Sequence, residues 1–597
     1  MLTEHGHESR LGLPVWVWII IFAALMTLKY FPGLENETLY SGNVFQILSP
    51  DAFNGDPFRG PETPWWQRPT QLSLFYGLVW LGGDIWLDDR FVAIFYLALV
   101  IASLIGIDRI ARHFGLNNPY ERLILLMFFL KDHQILTSKV LVAHHQDVNP
   151  SAMAIPAIIW LFYAIISQRH FIWTVIGCAL TTLISIRLAL CVCVIALISE
   201  FFLRPSPQKW VSGILLLAGL TLFSIALVAF TPSDDTLRLA IWEKFVAVEN
   251  NDADPFAPDG IGPMWLRFPA AAAVVVLSWA YMPEGKLGNA LKIIITIAVS
   301  IFLLGGLYIN FAPDAVKIPL LISFVPARIS GWLQNLCYIG LISGIFINLR
   351  TNQSVKTVAW MALLLGLLFI AGPGHLSLWA GLLVGGLSLS IVLFVTRRRW
   401  LQPQGATTPL LTMIAHNFTP VLFMALLIVT TISYAQAAHR NADALSFTAK
   451  KGVYGNNPSA IWHSVTPYIL ETAPAKSIVL TYQCRRTKIC DELVATRAFA
   501  SRSGLAMPTP EVAGGDFDKL DSWVTIEHQE ELVKIIAENL VKQQVEDAAS
   551  NIAHLKAIPN ILIVPAALEP NNSYRIGPYI ETKRIETWII LTKEPQS

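Results

Sequence analysis

Charge is what this chain has least of. Only 14% of its 597 residues are Asp, Glu, Lys or Arg, against 54% hydrophobic, where soluble domains carry roughly a quarter charged residues. The mean hydropathy of +0.52 requires far more apolar surface to be covered than a water-soluble core can hide, so a lipid bilayer is the expected solvent. An excess of either sign is missing too: 43 Lys and Arg stand against 42 Asp and Glu, for a formal charge of +1. Nothing in that balance exploits a phosphate backbone, and nucleic acid is not an expected partner. Cysteine is scarce, with six in all. Cys178, Cys191, Cys193 and Cys337 fall in apolar segments and read as small buried hydrophobes. Cys484 and Cys490 lie in the polar stretch QCRRTKIC; outside the cytoplasm they are candidates for a disulfide, whereas zinc would need two further ligands that the neighbouring sequence does not supply. Residues 438–597 hold no Gly-rich phosphate loop and no HExxH motif, and the chain shows no internal repeat of fixed period and no visible inverted repeat.

Long apolar runs, in contrast, are abundant. Stretches able to span a bilayer fall near 13–30, 91–107, 119–138, 150–166, 171–186, 188–203, 209–230, 267–283, 289–311, 329–348, 356–371, 376–395 and 411–436, by the criterion of about 20 mostly apolar residues. The first lacks a small-residue cleavage site and reads as a retained helix. Residues 171–203 are too long for one span, and Arg187 near their middle predicts a break into two helices. Lys131 and Asp132 interrupt the run at 119–138. Residues 71–87 are apolar but are expected to lie along the membrane surface. The fold class is therefore an α-helical polytopic membrane protein of about thirteen transmembrane helices over residues 1–437, followed by an α/β soluble domain over 438–597.

Loop charges give the expected orientation. With the N-terminus in the cytoplasm, alternate loops carry Arg109 and Arg112, Arg169, Arg204 and Lys209, Lys286 and Lys292, Arg350 and Lys356, then Arg397, Arg398 and Arg399, all on one side. The opposite loops at 31–90 and 231–266 are longer and rich in acids. An odd number of spans places the C-terminal domain outside, which in a bacterium is the periplasmic face of the inner membrane. In that domain SIVLTY at 477–482, NILIVP at 560–565 and ETWIILT at 586–592 read as strands, and 530–555 as a charged helix. Its expected role is a cap or acceptor-docking surface.

The first outer loop, FPGLENETLYSGNVFQILSPDAFNGDPFRGPETPWWQRP, concentrates acids, aromatics and prolines. Carboxylates at a membrane boundary can serve as a general base, and pairs of them can hold a divalent cation. Glu37 and Asp56 are the leading candidates, with Glu35 and Asp51 beside them; acids that only face water are the alternative. A second outer segment, VLVAHHQDVNPSAM, sets His144, His145 and Asp147 just before Asn149 and Pro150. That trio can bind a metal or shuttle protons, while Asp147 equally suits the start of a helix. Lys139, Arg187 and Arg328 fit an anionic lipid-linked group, with snorkelling to the interface as the competing account of Arg328. Trp65 and Trp66 could stack on a sugar or belong to an interfacial aromatic belt.

The arrangement resembles the GT-C superfamily of polytopic glycosyltransferases, which includes oligosaccharyltransferases, protein O-mannosyltransferases and aminoarabinose transferases. Glu37-Thr38-Leu39-Tyr40 looks like the family's acid and following aromatic, SPDAFNGDPF like a later first-loop element carrying Asp56, and HHQD places Asp147 where a second acid belongs. The segment 462–504 looks like the opening of the soluble domain in bacterial members. A paired acid at the first position is replaced by ENE, leaving the catalytic acid open between Glu37 and Asp56, and HHQD lacks an adjacent second carboxylate. The resemblance implies a polyprenyl-phosphate-linked sugar as donor, an acceptor on the outer face, and in some relatives Mg or Mn held here by Asp56 and Asp147. Tyr40, Lys139, His144, His145 and Arg328 are the implied substrate-binding residues. A transporter or flippase would instead place ionisable residues near the bilayer midplane, and a non-catalytic scaffold for envelope polysaccharide assembly would tolerate degenerate loops.

Overall fold

The computed structural model describes residues 13–30, 47–48, 73–87, 89–130, 148, 150–204, 272, 274–280, 282–283, 285–313, 329–351, 419–420, 422–428, 430–432, 468, 472, 478–481, 503–504, 550–553, 560–565, 575–585 and 588–594. It is mostly helical, with one small sheet near the C-terminus. The helices are α1 (Val15–Tyr30), α2 (Leu74–Gly82), α3 (Asp89–His113), α4 (Pro119–Leu130), α5 (Pro150–Ile166), α6 (Phe171–Ile184), α7 (Ile186–Leu203), α8 (Lys286–Phe311) and α9 (Ile329–Thr351), with a 3-10 turn over Gly83–Leu87 after α2.

Local sequence sets several of these ends. Asn118 caps α4, its Oδ1 accepting from the Tyr120 N–H at 3.0 Å, and Pro119 follows at the first helical position, where its missing donor costs nothing. His170 caps α6 through Nδ1, which accepts from Ile172 N–H. Ser73 caps α2. The predicted break near Arg187 falls at Ser185, whose extended backbone separates α6 from α7; Arg187 itself sits in the first turn of α7.

Two helix ends use the same hydrogen-bond pattern with different residues. After α3, Leu116 N–H reaches the Ala111 carbonyl and Gly115 N–H the Arg112 carbonyl, with Gly115 at φ +81°. After α5, Arg169 N–H reaches Ala164 and Gln168 N–H reaches Ile165, with Gln168 at φ 52°. Both close orphan carbonyls through a left-handed residue, a role that suits glycine. Here Arg109 and Arg112 correct an expectation: they lie in the last turns of α3 rather than in a loop, because nothing stops the helix before Gly115.

The helices pack in a chain: α5 against α3 and α6, α7 against α6 and α8, α8 against α9, and α1 against α3 and α4. One continuous apolar core runs through them, from Phe22 and Met26 through Leu104, Ile158 and Phe162 to Ile295 and Phe346. Close approach is bought by missing side chains: a Cβ on Gly106 would come within 2.6 Å of Ile159, and one on Gly177 within 2.9 Å of Leu161. The outward faces are also apolar, exposing Trp16, Ile94, Trp173, Leu183, Phe202, Leu304 and Phe311. Two described helices are long and apolar enough to cross a membrane, over Arg90–His113 and Lys286–Tyr308.

The sheet has the order β2-β1-β3-β6-β5-β4, with β1 (Ile478–Thr481), β2 (Ser503–Gly504), β3 (Ile561–Pro565), β4 (Arg575–Ile576), β5 (Tyr579–Ile585) and β6 (Trp588–Lys593). Strands β2, β1 and β3 run parallel and β6, β5 and β4 are antiparallel. The three predicted strands appear as β1, β3 and β6; the β4–β5 hairpin was not expected. Tyr579, Ile589, Ile590 and Leu591 are fully buried, the three consecutive residues of β6 on alternating faces of the sheet. The charged helix expected over 530–555 lies outside the described residues except at 550–553, which are helical.

Candidate functional site

The residues singled out from the sequence, Glu35, Glu37, Tyr40, Asp51, Asp56, Trp65, Trp66, Lys139, His144, His145, Asp147, Arg328, Cys484 and Cys490, lie outside the described residues. Their immediate neighbours do not, and the geometry of the site is built from those. Val148 follows Asp147 directly, Leu48 precedes Asp51 by three residues, and α9 begins at Ile329, directly after Arg328.

Flanks of the two acid-bearing loops meet on one aromatic cluster. Phe75, Tyr76 and Val79 of α2 are buried with Trp86 and Val92, and against them pack Ile47 and Leu48 from the first loop and Val148 and Met153 from the second. The cluster is ordered by edge contacts: Trp86 meets Phe75 at 5.5 Å and Phe91 and Phe95 at 5.1 Å, each near perpendicular, the arrangement ring quadrupoles favour. Its indole N–H is not left unpaired, since it donates to the Leu78 carbonyl at 2.9 Å. On the opposite face the same segment exposes Leu74, Trp80, Leu81 and Ile85. The helix is thus apolar on both sides, one packed against protein and one facing outward.

At the far end of α3 the chemistry is ionic. Val92 and Arg109 are separated by 17 residues of α3, about 25 Å, close to the hydrocarbon thickness of a bilayer. Asp108, 4% exposed, meets Arg112 at 2.9 Å and Arg122 of α4 at 3.2 Å. The Arg122 contact is an ion pair without hydrogen-bond alignment, and Arg122 Nε meets no acceptor. Glu200, 1% exposed, accepts from Thr174 at 2.7 Å and from Arg204 through both carboxylate oxygens. Arg204 reaches on to the carbonyls of Gln168 and Arg169, tying the end of α7 to the turn between α5 and α6. Each buried charge here has a partner, which is the condition for its survival away from water. His113 and the Tyr163 hydroxyl lie 3.1 Å apart on the same end.

Three of the basic groups expected on one side of the membrane, Arg109 with Arg112 at the end of α3, Arg169, and Arg204, thus lie together at one end of the helical core. Cys178, Cys191, Cys193 and Cys337 are free thiols, and Cys193 donates weakly to the Cys178 carbonyl at 3.7 Å. Among the described residues no three His, Cys, Asp or Glu side chains are grouped to hold a metal. Sequence reasoning missed Glu200 and the Asp108–Arg122 pair as a buried network. Their signal was present, charged residues inside or bordering apolar runs, but their partners come from other helices. Set beside known proteins, the chain matches no family model and no curated protein.

Proposed function

We propose that this chain is a membrane glycosyltransferase of the GT-C type, moving a sugar from a polyprenyl-phosphate carrier to an acceptor on the outer face of a bacterial inner membrane. The supporting observation is the shared cluster at one end of the core. Ile47 and Leu48 of the first acidic loop and Val148 of the second pack against the cluster formed by Phe75, Tyr76, Val79, Trp86 and Val92, while the arginines gather at the other end of α3. Two acid-bearing loops anchored on one platform, on a helix with an outward apolar face, suit chemistry on a lipid-borne substrate at the interface.

In this reading residues 1–437 cross the membrane about thirteen times and residues 438–597 form a periplasmic domain. Glu37 or Asp56 takes the proton of the acceptor hydroxyl as its oxygen attacks C1 of the sugar from the face opposite the phosphate. The C1–O bond to the carrier phosphate breaks with inversion, and the electron pair leaves with the phosphate. Arg328, the residue before Ile329 of α9, with Lys139, receives that anion, and Tyr40, His144 and His145 position the sugar. Asp56 and Asp147 offer hard carboxylate oxygens of the kind Mg or Mn takes; a bound cation would neutralise charge on the leaving phosphate.

The test is native mass spectrometry of the full-length protein in nanodiscs with a panel of polyprenyl-phosphate sugars, followed by a transfer assay on the donor retained. Loss of transfer by at least a hundredfold in Glu37→Ala or Asp56→Ala, and weaker donor retention in Arg328→Ala, are expected. Wild-type transfer in Glu37→Ala, Asp56→Ala and Asp147→Ala would sink the assignment.

A further inference from the structure

The basic end of α3 and α5 has cations that its own acids do not satisfy. Asp108 is committed to Arg112 and Arg122, and Glu200 to Arg204 and Thr174. Arg109 and Arg169 are both exposed; Arg109 lies one turn before His113 on α3, Arg169 lies in the turn that closes α5, whose Tyr163 meets His113, and neither meets a carboxylate among the described residues.

These cations stand at the head of an apolar strip. Trp160, on the outward face of α5, donates from Nε1 to the Ala102 carbonyl of α3 at 3.1 Å and packs edge-on against Tyr163 at 5.4 Å. The Tyr163 hydroxyl meets His113 at 3.1 Å. Arg109, His113, Tyr163 and Trp160 therefore make one continuous surface, polar at its end and apolar below it.

We propose that this surface binds an anionic phospholipid of the cytoplasmic leaflet, its phosphate held between Arg109, Arg169 and the His113–Tyr163 pair and the first part of an acyl chain lying on Trp160. Charge complementarity selects the occupant: two guanidinium groups that meet no carboxylate among the described residues favour an anion, guanidinium suits phosphate geometry, and the adjoining strip needs apolar cover that a free anion cannot give. A zwitterionic lipid brings its own cation to the same place and is disfavoured. The inference rests on the membrane reading and not on glycosyl transfer.

The experiment titrates detergent-purified full-length protein with dioleoyl phosphatidylglycerol or dioleoyl phosphatidylcholine and counts retained lipid by native mass spectrometry. Wild type is expected to retain phosphatidylglycerol in preference. The Arg109→Gln/Arg169→Gln double variant is expected to lose about 25-fold in affinity for it, at about fivefold per cation near an anionic headgroup. Arg109→Lys/Arg169→Lys should keep most of the preference, and Lys286→Gln, on the exposed start of α8, should keep all of it. Equal retention of the two lipids by wild type, undiminished phosphatidylglycerol binding by the Gln variant, or complete displacement of the lipid by glycerol phosphate would each overturn the proposal. None of these results depends on whether a sugar is transferred.

Discussion

Gln168 and Gly115 occupy equivalent positions after α5 and α3, both left-handed and both closing the same pair of carbonyls. A left-handed backbone is strained for a residue with a Cβ and free of strain for glycine, and the hydrogen bonds are backbone only. Gln168→Gly is therefore expected to stabilise by about 0.5–1 kcal/mol and Gly115→Ala to destabilise by about 1 kcal/mol, read as shifts of opposite sign in detergent melting; two shifts of the same sign would show that the backbone is not what decides. Tyr579 poses a different residue-scale question. It is fully enclosed in the sheet, and burial pushes its hydroxyl well above the usual tyrosine range. The folded state thus holds the proton more tightly than the unfolded one. The linked stability is complete below about pH 10, the unfolded value, and is lost as pH rises toward the raised folded value. Unfolding of β3–β6, followed by hydrogen exchange at pH 8 and pH 10.5, should show wild type losing more protection than Tyr579→Phe at the higher pH; equal losses would mean that some other group controls the alkaline limit.

At the scale of elements, periodicity and punctuation were enough where an element's ends are written locally. The expected 150–166 coincides with α5, bounded by Pro150, the strands β1 and β3 fall within the expected runs, and β6 overruns its own by Lys593 alone. The β4–β5 hairpin escaped because its alternation is broken: a register shift between Glu581 and Lys583 puts consecutive charged residues on a strand that carries no visible period of two. The platform under the candidate site was equally hidden. Asp147 and Asp56 can be named from loop position alone, but the cluster beneath their flanks joins Ile47, Phe75, Trp86 and Val148, residues distant in sequence with no local pattern linking them. Removing its central ring tests the coupling. Trp86→Ala should cost about 3–5 kcal/mol of local stability and speed hydrogen exchange over Leu74–Leu87. If the two loops share this support, exchange at Val148–Met153 should rise with it. Acceleration confined to α2 and the 3-10 turn would mean that the second loop stands without the platform.

The whole molecule turns on orientation, because the transfer proposal and the lipid proposal place their chemistry on opposite leaflets. Asn117 is exposed in the turn between α3 and α4, on the arginine-bearing end, and Lys583 is exposed on β5 of the C-terminal sheet. Eleven of the apolar runs read from the sequence lie between them, and an odd number of crossings must leave the two positions on opposite sides of the membrane. α4 is the stringent case: its described length, Pro119–Leu130, is 12 residues, about 18 Å, which reaches across only part of a 30 Å hydrocarbon layer. Its crossing therefore depends on the chain beyond Leu130 and on Lys131 and Asp132 being accommodated near an end. With the six native cysteines replaced by serine, an impermeant thiol reagent added to intact spheroplasts should label Lys583→Cys at once and Asn117→Cys only after permeabilisation. Labelling of both from outside would remove one crossing, most readily α4, and move the acids of the second loop away from those of the first, ending the shared-site reading. Labelling of Asn117→Cys alone would invert the molecule, place the sheet in the cytoplasm, and set the arginine cluster against the outer leaflet instead.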